Sequence, residues 1–148
     1  MPMDSPAIIH VIDDEAPFRR SLVFLLESAG WRAMEHASAE AFLAAAPTLP
    51  PAGCLVLDVR MPGISGLELQ RRLKAARAPW PVIFMTGHGD DELAAQTIED
   101  GAFAFLRKPS SDATFLDTVQ RALALSPDNR NRLSEWHNEC ICTAPLAT

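Results

Sequence analysis

Cys54-Leu55-Val56-Leu57-Asp58 decides the reading of this chain: an unbroken apolar run that ends on a carboxylate. A strand with no polar position along its length buries both faces, which happens when helices cover a parallel sheet on both sides. Similar runs flank it in Ala7-Ile8-Ile9-His10-Val11-Ile12, Val82-Ile83-Phe84-Met85 and Ala102-Phe103-Ala104-Phe105-Leu106. Trp31-Arg32-Ala33-Met34-Glu35-His36-Ala37 alternates polar with apolar and is predicted as an edge strand.

Amphipathic stretches separate these runs. Between Glu15 and Ala29, residues Phe18, Leu22, Leu25, Leu26 and Ala29 share one helical face, and Gly30 stops the helix. A short helix is predicted over Ala39 to Ala46, capped by Ser38, and Pro47 to Gly53 reads as loop. Leu69, Leu73 and Ala76 mark a third helix, and Asp91 to Asp100 a fourth that ends at Gly101. Phe115, Leu116, Val119, Ala122 and Leu123 line the last. Strands alternating with helices in this way predict one doubly wound α/β domain over residues 7–125, its topology restricted by right-handed crossovers. From Ser126 the pattern degrades, and 126–148 reads as a linker or tail.

The chain of 148 residues has the length of a single domain. Its 48% hydrophobic and 22% charged content excludes a disordered or collagen-like chain. Thirteen basic against 19 acidic residues give a net charge of −6, which disfavours nucleic-acid binding through bulk charge. No apolar run approaches the ~20 residues needed to span a bilayer. Met1 to Pro6 lacks the basic and apolar segments of a signal peptide. Cys54, Cys140 and Cys142 form no disulfide framework, and Cys140-x-Cys142 lacks a second ligand pair for zinc. A reduced, cytoplasmic protein is expected.

Open α/β sheets bind ligands beyond the carboxyl ends of their strands, where strand order reverses. The polar residues at those ends are Asp13 and Asp14 after the first strand, Asp58 after the third, Thr86 after the fourth, and Lys108, followed by Pro109, after the fifth. Singly, each has a plain structural reading: Asp14 as a helix cap, Asp58 as a turn residue, Thr86 as a strand former, Lys108 as a solvated charge. Those readings leave unexplained why all five fall at one rim. Three adjacent carboxylates raise one another's pKa unless a cation intervenes. A hard divalent ion such as Mg²⁺, which takes oxygen ligands and keeps several waters, removes the conflict.

Four separated motifs resemble the receiver domain of two-component response regulators: Val11-Ile12-Asp13-Asp14-Glu15, Leu55 to Leu69, Met85-Thr86-Gly87-His88-Gly89-Asp90, and Gly101 to Pro109. The wording Asp58-Val59-Arg60-Met61-Pro62 and Thr86-Gly87-His88-Gly89-Asp90 is most similar to the FixJ-type subfamily. The resemblance covers about residues 7–125 and implies a flavodoxin-like, five-stranded parallel sheet in the order 2-1-3-4-5. It implies that Asp58 is the phosphoacceptor and that Mg²⁺ is held by Asp14, Asp58 and the backbone carbonyl of Arg60, with Asp13 acting through water. Lys108 would pair with the phosphoryl oxygens, Thr86 would hydrogen-bond one of them, and Phe105 would be the switch aromatic. The Lys108–Pro109 peptide bond would be cis. Arg60 and His88 would flank the entry to the phosphoryl group. The implied partners are a sensor histidine kinase and a second copy of the chain, which dimerises on phosphorylation.

Ser110 and Ser111 depart from the family pattern, which usually has an aromatic or acidic residue after Lys-Pro. Two other classes compete with a phosphorylation-controlled switch that catalyses its own phosphorylation and dephosphorylation but is otherwise no enzyme. A degenerate receiver acting only as an interaction module is disfavoured by the intact Asp13, Asp14, Asp58, Thr86 and Lys108. A dehalogenase-type phosphatase needs a second Asp where Arg60 stands. FixJ-type regulators usually carry a C-terminal helix-turn-helix. Residues 126–148 contain only Arg130 and Arg132 as basic residues and no second apolar core, so this chain alone is expected to bind no specific DNA.

Overall fold

The computed structural model describes residues 7–50, 52–87, 91–108 and 111–124, with the backbone alone at 91–94. Pro109 and the segment 126–148 lie outside the described residues. The strands are β1 (Ile8–Ile12), β2 (Arg32–His36), β3 (Gly53–Asp58), β4 (Val82–Thr86) and β5 (Ala104–Arg107). The helices are α1 (Ala16–Ser28), α2 (Ala39–Ala45), α3 (Gly66–Ala75), α4 (Asp91–Glu99) and α5 (Asp112–Leu123), with a 3₁₀ turn at Ala46–Thr48. All pairings are parallel, and the strand order is β2-β1-β3-β4-β5. The doubly wound architecture and its order are as expected, with the alternating strand β2 at an edge.

Side-chain alternation along the strands feeds two separate cores. Ile9, Val11, Cys54, Val56, Ile83 and Met85 pack with Leu22 and Leu26 of α1 and Phe115, Val119 and Ala122 of α5. On the opposite face Ile12, Leu55, Leu57 and Phe84 pack with Phe42 of α2 and Leu69 and Leu73 of α3. β3 is buried at every position because it lies mid-sheet between both layers. β5 departs from the expectation of an apolar strand covered on both faces. It starts at Ala104 rather than Ala102, and Ala104 to Leu106 are half-buried, since an edge strand has one neighbour.

Local chemistry sets the helix starts. Ser38, Ser65 and Ser111 each accept a hydrogen bond from a backbone N–H three residues on, at Ala41, Glu68 and Thr114. Ser111, one of the two residues that break the family pattern, is thus the cap of α5. The capping position of α1 is Glu15, not Asp14, and Glu15 makes no side-chain cap bond; Pro17 in the first turn favours the start instead. Asp14 is therefore spared that structural duty.

Candidate functional site

The order β2-β1-β3 puts the strand-order reversal between β1 and β3, so their carboxyl ends open side by side. Asp13 follows the last residue of β1 and Asp58 ends β3. Both are buried, at 2% and 8% exposure, whereas Asp14 is exposed. Carboxylate oxygens of Asp13, Asp14 and Asp58 all lie within 4.8 Å of one another.

Lys108, the first residue after β5, enters this acidic pocket from the far edge of the sheet. Its backbone N–H donates to the Thr86 carbonyl at 2.6 Å, which ties the ends of β4 and β5 together. Its Nζ lies 2.9 Å from Asp13 Oδ2, 3.3 Å from Glu15 Oε1 and 3.5 Å from Asp58 Oδ2. The Phe18 ring, 4.4 Å from Nζ to its centroid, adds a cation–π contact. Asp13 Oδ1 accepts from the Glu15 backbone N–H at 2.8 Å, so both oxygens of this carboxylate are engaged.

Burial is the largest influence on Asp58 and raises its pKa, and the negative charge of Asp13 raises it further. The Lys108 charge, the Arg60 backbone N–H and the Lys108 hydrogen bond oppose the rise, leaving the carboxyl pushed up to about 6. For Lys108, burial pulls the pKa down. The Asp13 hydrogen bond, the Asp58 and Asp13 charges and the Glu15 hydrogen bond together outweigh it, so the pKa is raised and the ammonium stays charged. The pocket thus holds an excess of carboxylate over cation and has oxygen donors throughout, a set suited to a hard divalent ion.

The loop leaving β3 is tightly constrained. Gly66 N–H donates to the Val59 carbonyl at 3.0 Å, and a Cβ at Gly66 would collide with the Asp58 carbonyl oxygen. The Gly at this position therefore lets α3 start directly behind Asp58. Thr86 ends β4 and is buried. Phe84 is registered with Phe105, and alternation places Thr86 on the same sheet face as both. Phe105 is half-buried against the α2–α3 core.

The structure therefore brings Asp13, Asp14, Asp58 and Lys108 together, with Thr86 at the adjoining strand end and Phe105 one strand further out. Several participants were not singled out in the sequence. Glu15 has no mark in the sequence beyond its place after Asp13 and Asp14, yet it shares Lys108; Phe18 reads as part of the apolar face, yet it lies beside the ammonium. Arg19 is the third. It is buried in the same helical register as Leu22 and Leu26 of α1, and a charge on an apolar face is the signal that could have exposed it.

This sheet order, with a polar pocket at its switch point, defines the flavodoxin-like class of doubly wound domains. Within that class the chain belongs to the response regulator receiver domain family, whose pattern matches residues 9–120. It is of the FixJ type, a module of phosphorylation-controlled two-component signalling. It is 50% identical over 128 residues to the transcriptional regulatory protein FixJ of Azorhizobium caulinodans, covering 86% of this chain and 59% of the relative. It is 41% identical over 139 residues to the transcriptional regulatory protein TdiR of Thauera aromatica, covering 94% of this chain and 61% of the relative. The crystal structure of FixJ-N superposes with a TM-score of 0.75 at 42% identity, covering 80% of this chain and 94% of that one. The chain thus spans about three-fifths of these curated relatives (59% and 61%). Among the described residues no helix is long and apolar enough to cross a membrane.

Proposed function

We propose that Asp58 accepts a phosphoryl group from a phosphohistidine of a sensor histidine kinase and that Mg²⁺ is required. The observation that carries this reading is Lys108 Nζ set between Asp13 and Asp58, 2.9 and 3.5 Å away, inside a trio of carboxylates. An Asp58 oxygen attacks phosphorus, the P–N bond to the donor imidazole breaks, and the leaving nitrogen keeps the electron pair. Asp14, Asp58 and the Arg60 carbonyl would hold the ion directly and Asp13 through water, and the ion would neutralise charge on the transferring group. Lys108 supplies a second, fixed positive charge at the same place. Asp58 attacks as the carboxylate, which Lys108 and the Arg60 N–H favour against burial.

The new group brings a charge of about −1.5 to −2 and strong acceptors to the ends of β3 and β4. Thr86 donates its hydroxyl to a phosphoryl oxygen, Phe105 turns further inward, and the α4–β5–α5 surface changes its preference for a second copy of the chain. The domain acts as a phosphoacceptor that promotes its own phosphorylation and dephosphorylation, in the cytoplasm. Residues 7–125 form the receiver and 126–148 a linker or tail. The whole protein's output is transcriptional through a DNA-binding partner domain, as the names of its relatives suggest, or runs through a partner protein. This chain alone binds no specific DNA.

Incubation with acetyl phosphate tests the reading. Labelling should be stoichiometric with Mg²⁺, absent with chelator, and unaccompanied by turnover of a generic phosphomonoester. Labelling that persists in chelator would overturn the metal's role, and multiple turnover of the monoester would favour a phosphatase.

A further inference from the structure

Among the described residues, none holds Asp14, the third member of the acidic trio. Asp13 is held by Lys108 and the Glu15 N–H, and Asp58 by Lys108 and the Arg60 N–H. No hydrogen bond or ion pair to a described residue holds the exposed Asp14 carboxylate. Its direction is consequently set by its backbone, beginning with the peptide group that joins Asp13 to Asp14. The carbonyl oxygen of that peptide accepts from Arg19 Nη1 at 2.8 Å in a buried hydrogen bond. The same guanidinium donates from Nε to Glu35 Oε1 on β2, also at 2.8 Å. On the other side of the strand end, the Asp13 N–H donates to the His36 carbonyl at 3.2 Å.

We propose that Arg19, braced by Glu35, is a positioning residue that sets the Asp13–Asp14 peptide plane and so aims Asp14 at the metal. The proposal rests on the reading above that Asp14 ligates Mg²⁺. Arg19 stands one turn into α1, on its buried face, where a side chain reaches back over the preceding turn toward the β1–α1 junction. A planar fork serves two acceptors in fixed relative directions, which a lysine's single ammonium cannot reproduce. The carboxylate on the edge strand β2 thereby reaches the metal site without entering it. Partners at this remove from a metal commonly change its affinity by about 10–100-fold when removed.

Mg²⁺ titration by calorimetry, with urea denaturation of the same samples, separates this role from a purely structural one. Arg19→Met should weaken Mg²⁺ binding by about 10-fold or more. It should raise the Mg²⁺ concentration needed for labelling while leaving the maximal rate near that of the wild type. Glu35→Ala, a milder change that keeps the guanidinium, should produce a smaller loss, and Glu35→Gln, which still offers an acceptor, should restore affinity. In an Asp14→Ala background, Arg19→Met should add no further loss, because the residue it aims is gone. Wild-type affinity in folded Arg19→Met or Glu35→Ala, or an equal loss in the Asp14→Ala background, would overturn the role of Arg19 alone. Wild-type affinity in Asp14→Ala itself would overturn the metal assignment and this proposal with it.

Discussion

His10 on β1 and His36 on β2 share a buried hydrogen bond, Nδ1 to Nε2 at 3.1 Å, with Phe42 and Trp80 packed around them. Burial pushes His10 down to about 3, with the His36 charge adding to it. Burial pushes His36 down to about 4, with Arg19 adding to it. Both rings are therefore neutral in the fold at neutral pH, one donating to the other.

This pair makes the domain acid-sensitive. An unfolded histidine binds a proton near its ordinary value of 6.5, while the folded pair waits until about 4 and about 3. Below pH 6.5 the unfolded state takes up more protons, so the stability present above that pH is lost as pH falls through the window. The limiting slope is about 1.4 kcal/mol per pH unit for each histidine. Asp58, raised in the fold to about 6, works the other way below that pH and offsets about one histidine. Urea denaturation at a series of pH values between neutrality and pH ~4 checks it, and His10→Phe should lower the slope by about 1.4 kcal/mol per pH unit. A His10→Phe profile as steep as that of the wild type would show that the pair is not buried and neutral.

Phe42 is fully buried and meets His10, His36 and Trp80 edge-on. Phe42→Ala should destabilise the domain by about 3–5 kcal/mol. Denaturant midpoints measure the change. Because the Phe42 side chain supplies no polar group to the Lys108 pocket, the folded variant should still accept phosphate at Asp58.

Which parts of this were legible in the sequence follows from how local each cause is. Asp13, Asp58 and Lys108 each sit at the end of an apolar run, and strand ends in a parallel sheet share one rim, so a short-range pattern located a long-range site. The histidine pair carries no such mark. His10 and His36 are 26 positions apart, and they meet only through the register that sets Ile12 opposite His36. His10 lies inside an otherwise apolar strand, where it reads as packing; its partner depends on which strand becomes the neighbour. The sequence puts the start of β5 two residues early because Ala102 and Phe103 continue the apolar run. Apolarity marks burial rather than pairing, and Ala102 is indeed buried ahead of the strand. Asp14 reads as a helix cap because Asp commonly is one, whereas the chain turns into α1 one residue later, at Glu15.

Thr86 and Phe105 share a sheet face on adjoining strands, which makes them the proposed path from Asp58 to the α4–β5–α5 surface. Thr86→Ala should accept phosphate to the same extent as wild type and fail to dimerise in response. Analytical ultracentrifugation with and without acetyl phosphate distinguishes the outcomes. Wild-type dimerisation in the variant would place the coupling elsewhere.

Asp58 as acceptor and Lys108 as its fixed counter-charge are the core of the proposed function. Peptide mapping by mass spectrometry after phosphorylation with Mg²⁺ tests both roles, applied to the wild type, Asp58→Asn and Lys108→Met. One phosphoryl group per chain is expected in the Asp58 peptide of the wild type and none in Asp58→Asn. In Lys108→Met labelling should slow on the order of 100-fold, as when a fixed charge-stabilising donor is removed. A stoichiometric phosphoryl group on Asp58→Asn, wherever it maps, would refute the assignment of Asp58.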